Sequence, residues 1–173
     1  MEKLEGCNFY THDILVRDPV ERFISFYKDK VVRGGDCECL QSLCKNFSRS
    51  PEEVRRMSID EILDEVEEKL PALNSSACNE ILNNHLAPQQ YIINTYGLHD
   101  ENTKLRDIRY DIEWLKSLGI NPQNFYNNTS NVLCYVTKRE RQRIASVYKD
   151  DVILYEKYKN QNDYTTHRQI WLR

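Results

Sequence analysis

"LVRDPVERFISFY", residues 15–27, is the stretch on which the fold turns. It begins apolar, breaks through Arg17-Asp18-Pro19, and then spaces apolar residues at helical intervals, the pattern of a strand handing over to a helix. Upstream, Ile14, Leu15 and Val16 form a continuous apolar run, so residues 11–16 are expected to be a short strand covered on both faces, as parallel strands are. Downstream, Asp18 is a good N-cap, Pro19 suits the first helical position, and Glu21 completes an acidic capping box. Val20, Phe23, Ile24, Tyr27 and Val31 then trace one apolar stripe, and Gly34-Gly35 stops the helix.

Two more capping boxes follow. Ser50-Pro51-Glu52-Glu53 opens a short helix, and Ser58 with Glu61 opens another whose Ile59, Ile62, Leu63, Val66 and Leu70 share a face until Pro71 stops it. Residues 74–90 read as loop and "YIINTYG", residues 91–97, as a buried strand ended by Gly97. Helices are expected over 105–118, with Ile108, Ile112 and Leu115 on one stripe and Gly119 as the stop, and over 137–148, capped by Thr137 with Glu140. Residues 152–159 continue as helix, and the polar residues 160–173 form a tail beyond a domain of residues 1–159. The alternation favours an α/β domain, helix-rich, with a small parallel sheet flanked by helices.

Charged residues make up 29% and apolar ones 40% of the chain, so a folded domain is expected. A net charge of −3 supplies no field for nucleic acid, and any anion site must be local. No apolar run approaches the roughly 20 residues that cross a bilayer, and residues 1–10 contain no signal-like block. Cys7, Cys37, Cys39, Cys44, Cys78 and Cys134 are an even number that permits full disulfide pairing, with residues 37–44 as a looped, cross-linked excursion. Asn46, Asn74, Asn127 and Asn128 begin glycosylation triplets, a second pointer to an oxidising lumen. Cys37, Cys39 and Cys44 also invite a zinc reading in which Cys78 or a histidine is the fourth ligand, although disulfides fit the spacing better.

The chemistry gathers at Arg17. A helix amino end exposes unpaired N–H groups and the positive end of the macrodipole, and Arg17 adds a charged planar fork that suits phosphate. Ser25, two turns into the helix, projects near the face of Arg22 and Glu21, where a hydroxyl adds a neutral donor. An ordinary surface ion pair for Arg17 and a packing role for Ser25 are the competing accounts. "VRDPVERFISFYKDK", residues 16–30, resembles the 3′-phosphate-binding motif of Golgi carbohydrate sulfotransferases of the sulfotransferase family 2 type, which use 3′-phosphoadenosine 5′-phosphosulfate (PAPS). "NNHLAPQQY", residues 83–91, is similar to that family's His-x-x-Pro-Gln segment, with Leu86 where an aromatic is usual. "VYKDDVILYEKY", residues 147–158, is similar to its closing Tyr-Asp-aromatic pattern, with Val152 where an aromatic is common.

The resemblance implies a P-loop-like sulfotransferase fold, PAPS as co-substrate without a metal, and a glycan acceptor. It places Arg17 and Ser25 on the 3′-phosphate and His85 as base or acceptor-positioning group, with Gln89 on the acceptor or on backbone. It further implies the Golgi lumen, with membrane attachment only through an anchor absent from this chain. Family members carry an upstream loop for the 5′-phosphosulfate. Sixteen residues precede Arg17, whereas a βαβ unit needs about 30, so the chain reads as a carboxyl portion whose amino-terminal βα unit is missing and whose catalysis is weak or absent. The alternative is a non-catalytic relative that binds nucleotide or glycan. The acidic helix after Ser58 and the basic run "TKRERQR", residues 137–143, are read as solvated surface before they are read as partner or glycan contacts.

Overall fold

A computed structural model describes residues 13–34, 37–74, 82, 85–95, 97, 103–107, 109–121 and 133–161. Strand β1 (Asp13–Leu15) leads through Val16-Arg17-Asp18 into helix α1 (Pro19–Phe26), which widens into a π-helical turn over Tyr27–Val32. Asp18 caps α1 by accepting from the N–H groups of Val20 and Glu21 at 2.9 and 3.1 Å. Gly34, at φ +88°, then leaves the helix through a conformation that a side chain resists.

Helices α2 (Cys37–Phe47), α3 (Pro51–Arg56) and α4 (Ile59–Lys69) follow, the last running into a 3₁₀ turn over Leu70–Asn74. Both expected serine capping boxes form, each serine accepting from the N–H of the glutamate three residues on, whose carboxylate returns to the serine N–H. Helix α5 (Gln89–Thr95), strand β2 (Lys104–Arg106), helix α6 (Ile112–Ser117), helix α7 (Lys138–Val147) and helix α8 (Lys149–Gln161) complete the described chain. The architecture is helix-rich with a two-stranded parallel sheet, in register Asp13 to Lys104, Ile14 to Leu105 and Leu15 to Arg106.

The main core joins α1 through Phe23, Ile24 and Phe26 to Leu40, Leu43, Val54, Ile62, Leu63, Val66, Ile144 and Tyr148. Every apolar residue expected on the α4 stripe is in it, with Leu70 at its margin. A second, smaller cluster packs Val16, Ile93, Leu154, Tyr155 and Tyr158 behind the sheet.

Four expectations are corrected. Residues 37–44 are helix, not a cross-linked loop, because Cys39, Leu40, Leu43 and Phe47 form a buried helical stripe in which cysteine behaves as a small apolar residue. Residues 91–97 are not a strand. Helix α5 looks apolar on several sides because it lies between the two clusters, Tyr91 packing on one and Ile93 on the other. Residues 105–118 are not one helix, since the Val16 N–H donates to the Arg106 carbonyl at 2.7 Å and extends the sheet. Asp107 and Asp111 close a turn before α6 begins, and Gly119 ends it at φ +73°. Finally, β1 is not covered on both faces: Leu15 is 48% exposed.

The luminal signs also shift. Cys39, Cys44 and Cys134 are thiols rather than disulfide partners, and Asn46 is 8% exposed within α2, where a glycan has no room. Cys7, Cys78, Asn127, Asn128 and the tail beyond residue 161 lie outside the described residues, as do the side chains of Cys37 and Asn74. Cys39 and Cys44 stand five positions apart on one helix, about 140° around its axis, so they do not converge on a metal. Among the described residues, no group of three or more His, Cys, Asp or Glu side chains gathers in a metal-binding arrangement. No helix among them is long and apolar enough to cross a membrane.

Candidate anion site at the end of the sheet

Arg17 lies just past the carboxyl end of β1, and its backbone is held from outside the turn. The Gln89 side-chain amide accepts from the Arg17 N–H at 2.9 Å and donates to the Arg17 carbonyl at 2.8 Å, pairing with it as a neighbouring strand would. The α5 amino end is held in turn by Asp151, which is fully buried and accepts from the Gln89 and Gln90 N–H groups, both at 2.8 Å. Arg22 closes the knot: it donates to Asp151 at 3.2 Å and to the Ala87 carbonyl at 2.9 Å, and lies over the Tyr148 ring. The Tyr148 hydroxyl donates to the Leu86 carbonyl at 2.8 Å. The three stretches singled out in the sequence, near residues 17–25, 83–91 and 147–158, therefore meet in one polar network.

That network changes where an anion can sit. The first N–H groups of α1 are taken by Asp18, so the helix amino end is satisfied by its own cap. The guanidinium of Arg17 is different. It is half-buried, its Nε is buried without a hydrogen-bond partner, and among the described residues it forms no ion pair. Burial first, and the Arg109 charge next, press its pKa below the ordinary value, which marks a cation short of counter-charge.

Ser25 is half-buried on α1, on the face of Glu21 and Arg22, turned from the side that buries Phe23 and Phe26. His85 lies elsewhere. It is exposed, with its ring stacked 6.3 Å from that of Phe26 at the far end of α1, about 10 Å along the axis from Pro19.

Beside Arg17, the turn after β2 carries a second knot. Fully buried Asp107 accepts from Arg109 Nε at 3.2 Å and Nη2 at 2.9 Å. The Tyr155 hydroxyl accepts from Arg109 at 2.9 Å and donates to Asp107 at 2.8 Å. Burial, then the Asp107 charge, push the Tyr155 hydroxyl pKa up, so it stays protonated as that donor.

The basic run at residues 137–143 is spoken for. Arg143 bonds to Asp60 at 2.7 Å, to Glu67 at 3.2 Å and to Asp64, while Arg141 pairs with Glu21 at 2.8 Å. Acidic and basic surfaces that the sequence left solvated instead face each other.

Sequence reasoning overlooked Arg22, Asp151 and Arg109 as determinants of the site and left Gln89 open between an acceptor and a backbone role. Arg22 stood in the motif itself and Asp151 in the closing Tyr-Asp-aromatic pattern, though without a role; Arg109 carried no signal, because its partner Tyr155 lies far along the chain.

Comparison with known proteins agrees with the class. A family model described as "Sulfotransferase family" matches residues 5–159, and the chain belongs to that family. Neither a curated protein nor a solved structure gives a match.

Proposed function

We propose that the chain binds PAPS and directs its sulfuryl group to a sugar hydroxyl of a glycan in the Golgi lumen, with Arg17 and Ser25 on the 3′-phosphate. The observation that carries this reading is the half-buried Arg17 guanidinium with its unpartnered Nε, set at the strand-to-helix turn of a sulfotransferase family chain. A phosphate oxygen satisfies that N–H, and the planar fork suits it. Bound PAPS supplies the activated sulfuryl group and a bisphosphate leaving group. The chain supplies position and charge: Gln89 fixes the Arg17 backbone, and Ser25 offers a hydroxyl on the same side of α1 as Arg22. In this reading His85 takes the acceptor proton or orients the acceptor, an imidazole being suited to proton transfer near neutral pH and its exposure leaving it within reach of a large glycan.

Titration calorimetry with adenosine 3′,5′-bisphosphate tests the phosphate seat. Arg17→Ala is expected to weaken binding at least tenfold in a sample that keeps its circular dichroism; unchanged affinity would remove the basis of the proposal. Transfer of labelled sulfate from PAPS to a glycan panel tests the chemistry.

A non-catalytic nucleotide-binding relative is the second reading. It is favoured by the knot itself, in which Gln89, Arg22 and Asp151 are engaged with one another and with backbone. Bisphosphate binding without transfer selects it.

A further inference from the structure

We propose that Arg109 is a second phosphate-binding guanidinium, seated beside Arg17 at the carboxyl ends of the two parallel strands, so that the site grips a phosphate monoester dianion with two arginines. This rests on the reading that a nucleotide phosphate binds at Arg17.

The placement follows from topology. Because β1 and β2 run parallel with Leu15 opposite Arg106, both chains leave the sheet at the same edge. Arg17 comes two residues after Leu15 and Arg109 three after Arg106, so both arginines sit on loops at the edge where open parallel sheets receive ligands. The Val16 N–H bond to the Arg106 carbonyl keeps the two exits adjacent.

Charge supports the pairing. Asp107 compensates Arg109, whose pKa is raised, whereas Arg17 feels burial and the Arg109 charge more than the attraction of Asp107 and Glu21, so positive charge is left under-compensated at Arg17. A phosphate monoester carries about −1.5 to −2 near neutral pH and relieves it. A phosphodiester, with one charge, relieves less. The second site residue is also preorganised: Asp107 and Tyr155 hold Arg109 by three hydrogen bonds, so little side-chain freedom is lost when an anion arrives. Asp107 and Tyr155 are thereby positioning residues for Arg109.

Calorimetry on the full chain, comparing adenosine 3′,5′-bisphosphate with adenosine 5′-monophosphate, tests this. Arg109→Ala is expected to cost about tenfold in bisphosphate affinity and less than about twofold for the monophosphate, which lacks the 3′ group. Arg109→Lys keeps the charge, loses the fork, and is expected to lose several-fold for the bisphosphate alone. Tyr155→Phe, which removes one hydroxyl, is expected to fall between wild type and Arg109→Ala. Should Arg109→Ala fail to fold because Asp107 is left uncompensated, the lysine and phenylalanine variants decide. If the wild type binds bisphosphate, Arg17→Ala abolishes it, and the folded Arg109 and Tyr155 variants bind like wild type, the two-arginine seat is wrong and the function proposed above stands. If the wild type itself shows no preference for the bisphosphate, both fall together.

Discussion

Asp151 shows how much one buried carboxylate can organise. It caps the amino end of α5 from a position 62 residues away and neutralises Arg22. Replacing it by asparagine leaves Arg22 unpaired at 16% exposure and turns an amide N–H toward backbone donors, so Asp151→Asn is expected to cost about 3 kcal/mol at neutral pH by urea denaturation. Its pH signature has a definite sign. Burial outweighs the attraction of Arg22 and the two N–H bonds and raises the Asp151 pKa above its ordinary 3.8. A carboxyl with a raised folded pKa binds its proton more firmly folded than unfolded. Its titration therefore favours the folded state at acid pH and withdraws that contribution as pH rises from 3.8 through the raised value. Asp151→Asn is expected to flatten that part of the stability profile; an identical slope in both proteins would contradict the assignment.

Among the elements, those with local punctuation were legible. Ser50, Ser58 and Thr137 each form the capping box that their spacing announces, and α1 begins at Pro19 with Asp18 as its cap. Helix α5 was not legible, because the group that caps its amino end is Asp151 and not a neighbour, and β2 was not, because Leu105 falls in an expected helix on paper and in a sheet only when β1 lies beside it. The contact between α4 and α7 is electrostatic at its rim. Arg143 bridges three acidic residues, so a double-mutant cycle of Arg143→Ala with Asp60→Ala should give a coupling of about 0.5–1 kcal/mol in low salt. That coupling should shrink as the Debye length contracts from about 10 Å at 0.1 M to 3 Å at 1 M salt. A salt-independent coupling would point to packing instead.

At the scale of the molecule, the candidate anion site lies where a large core meets a small one. Helix α5 joins them by packing Tyr91 against the first and burying Ile93 in the second. The small cluster has few members, so the strands it supports should open before α4 does. Ile93→Ala is expected to cost about 2–4 kcal/mol and to speed hydrogen exchange over residues 104–106 more than over α4. Adenosine 3′,5′-bisphosphate should restore protection there, since a ligand stabilises the state that binds it. Equal exchange in the two regions would argue for a single cooperative core.

What the sequence determined by itself was local: the strand-to-helix turn at Arg17, the apolar stripes of α1 and α4, the capped helix starts, and the motifs that resemble a sulfotransferase. Each rests on neighbours within a few residues, whose spacing is set by the geometry of a single element. Tertiary structure alone decided that Gln89 and Asp151 reach across the chain to frame Arg17, and that Arg109 comes to lie near it. Those outcomes depend on which buried polar groups find each other once the cores close, and a buried donor or acceptor is satisfied by proximity in space, which residue order does not encode.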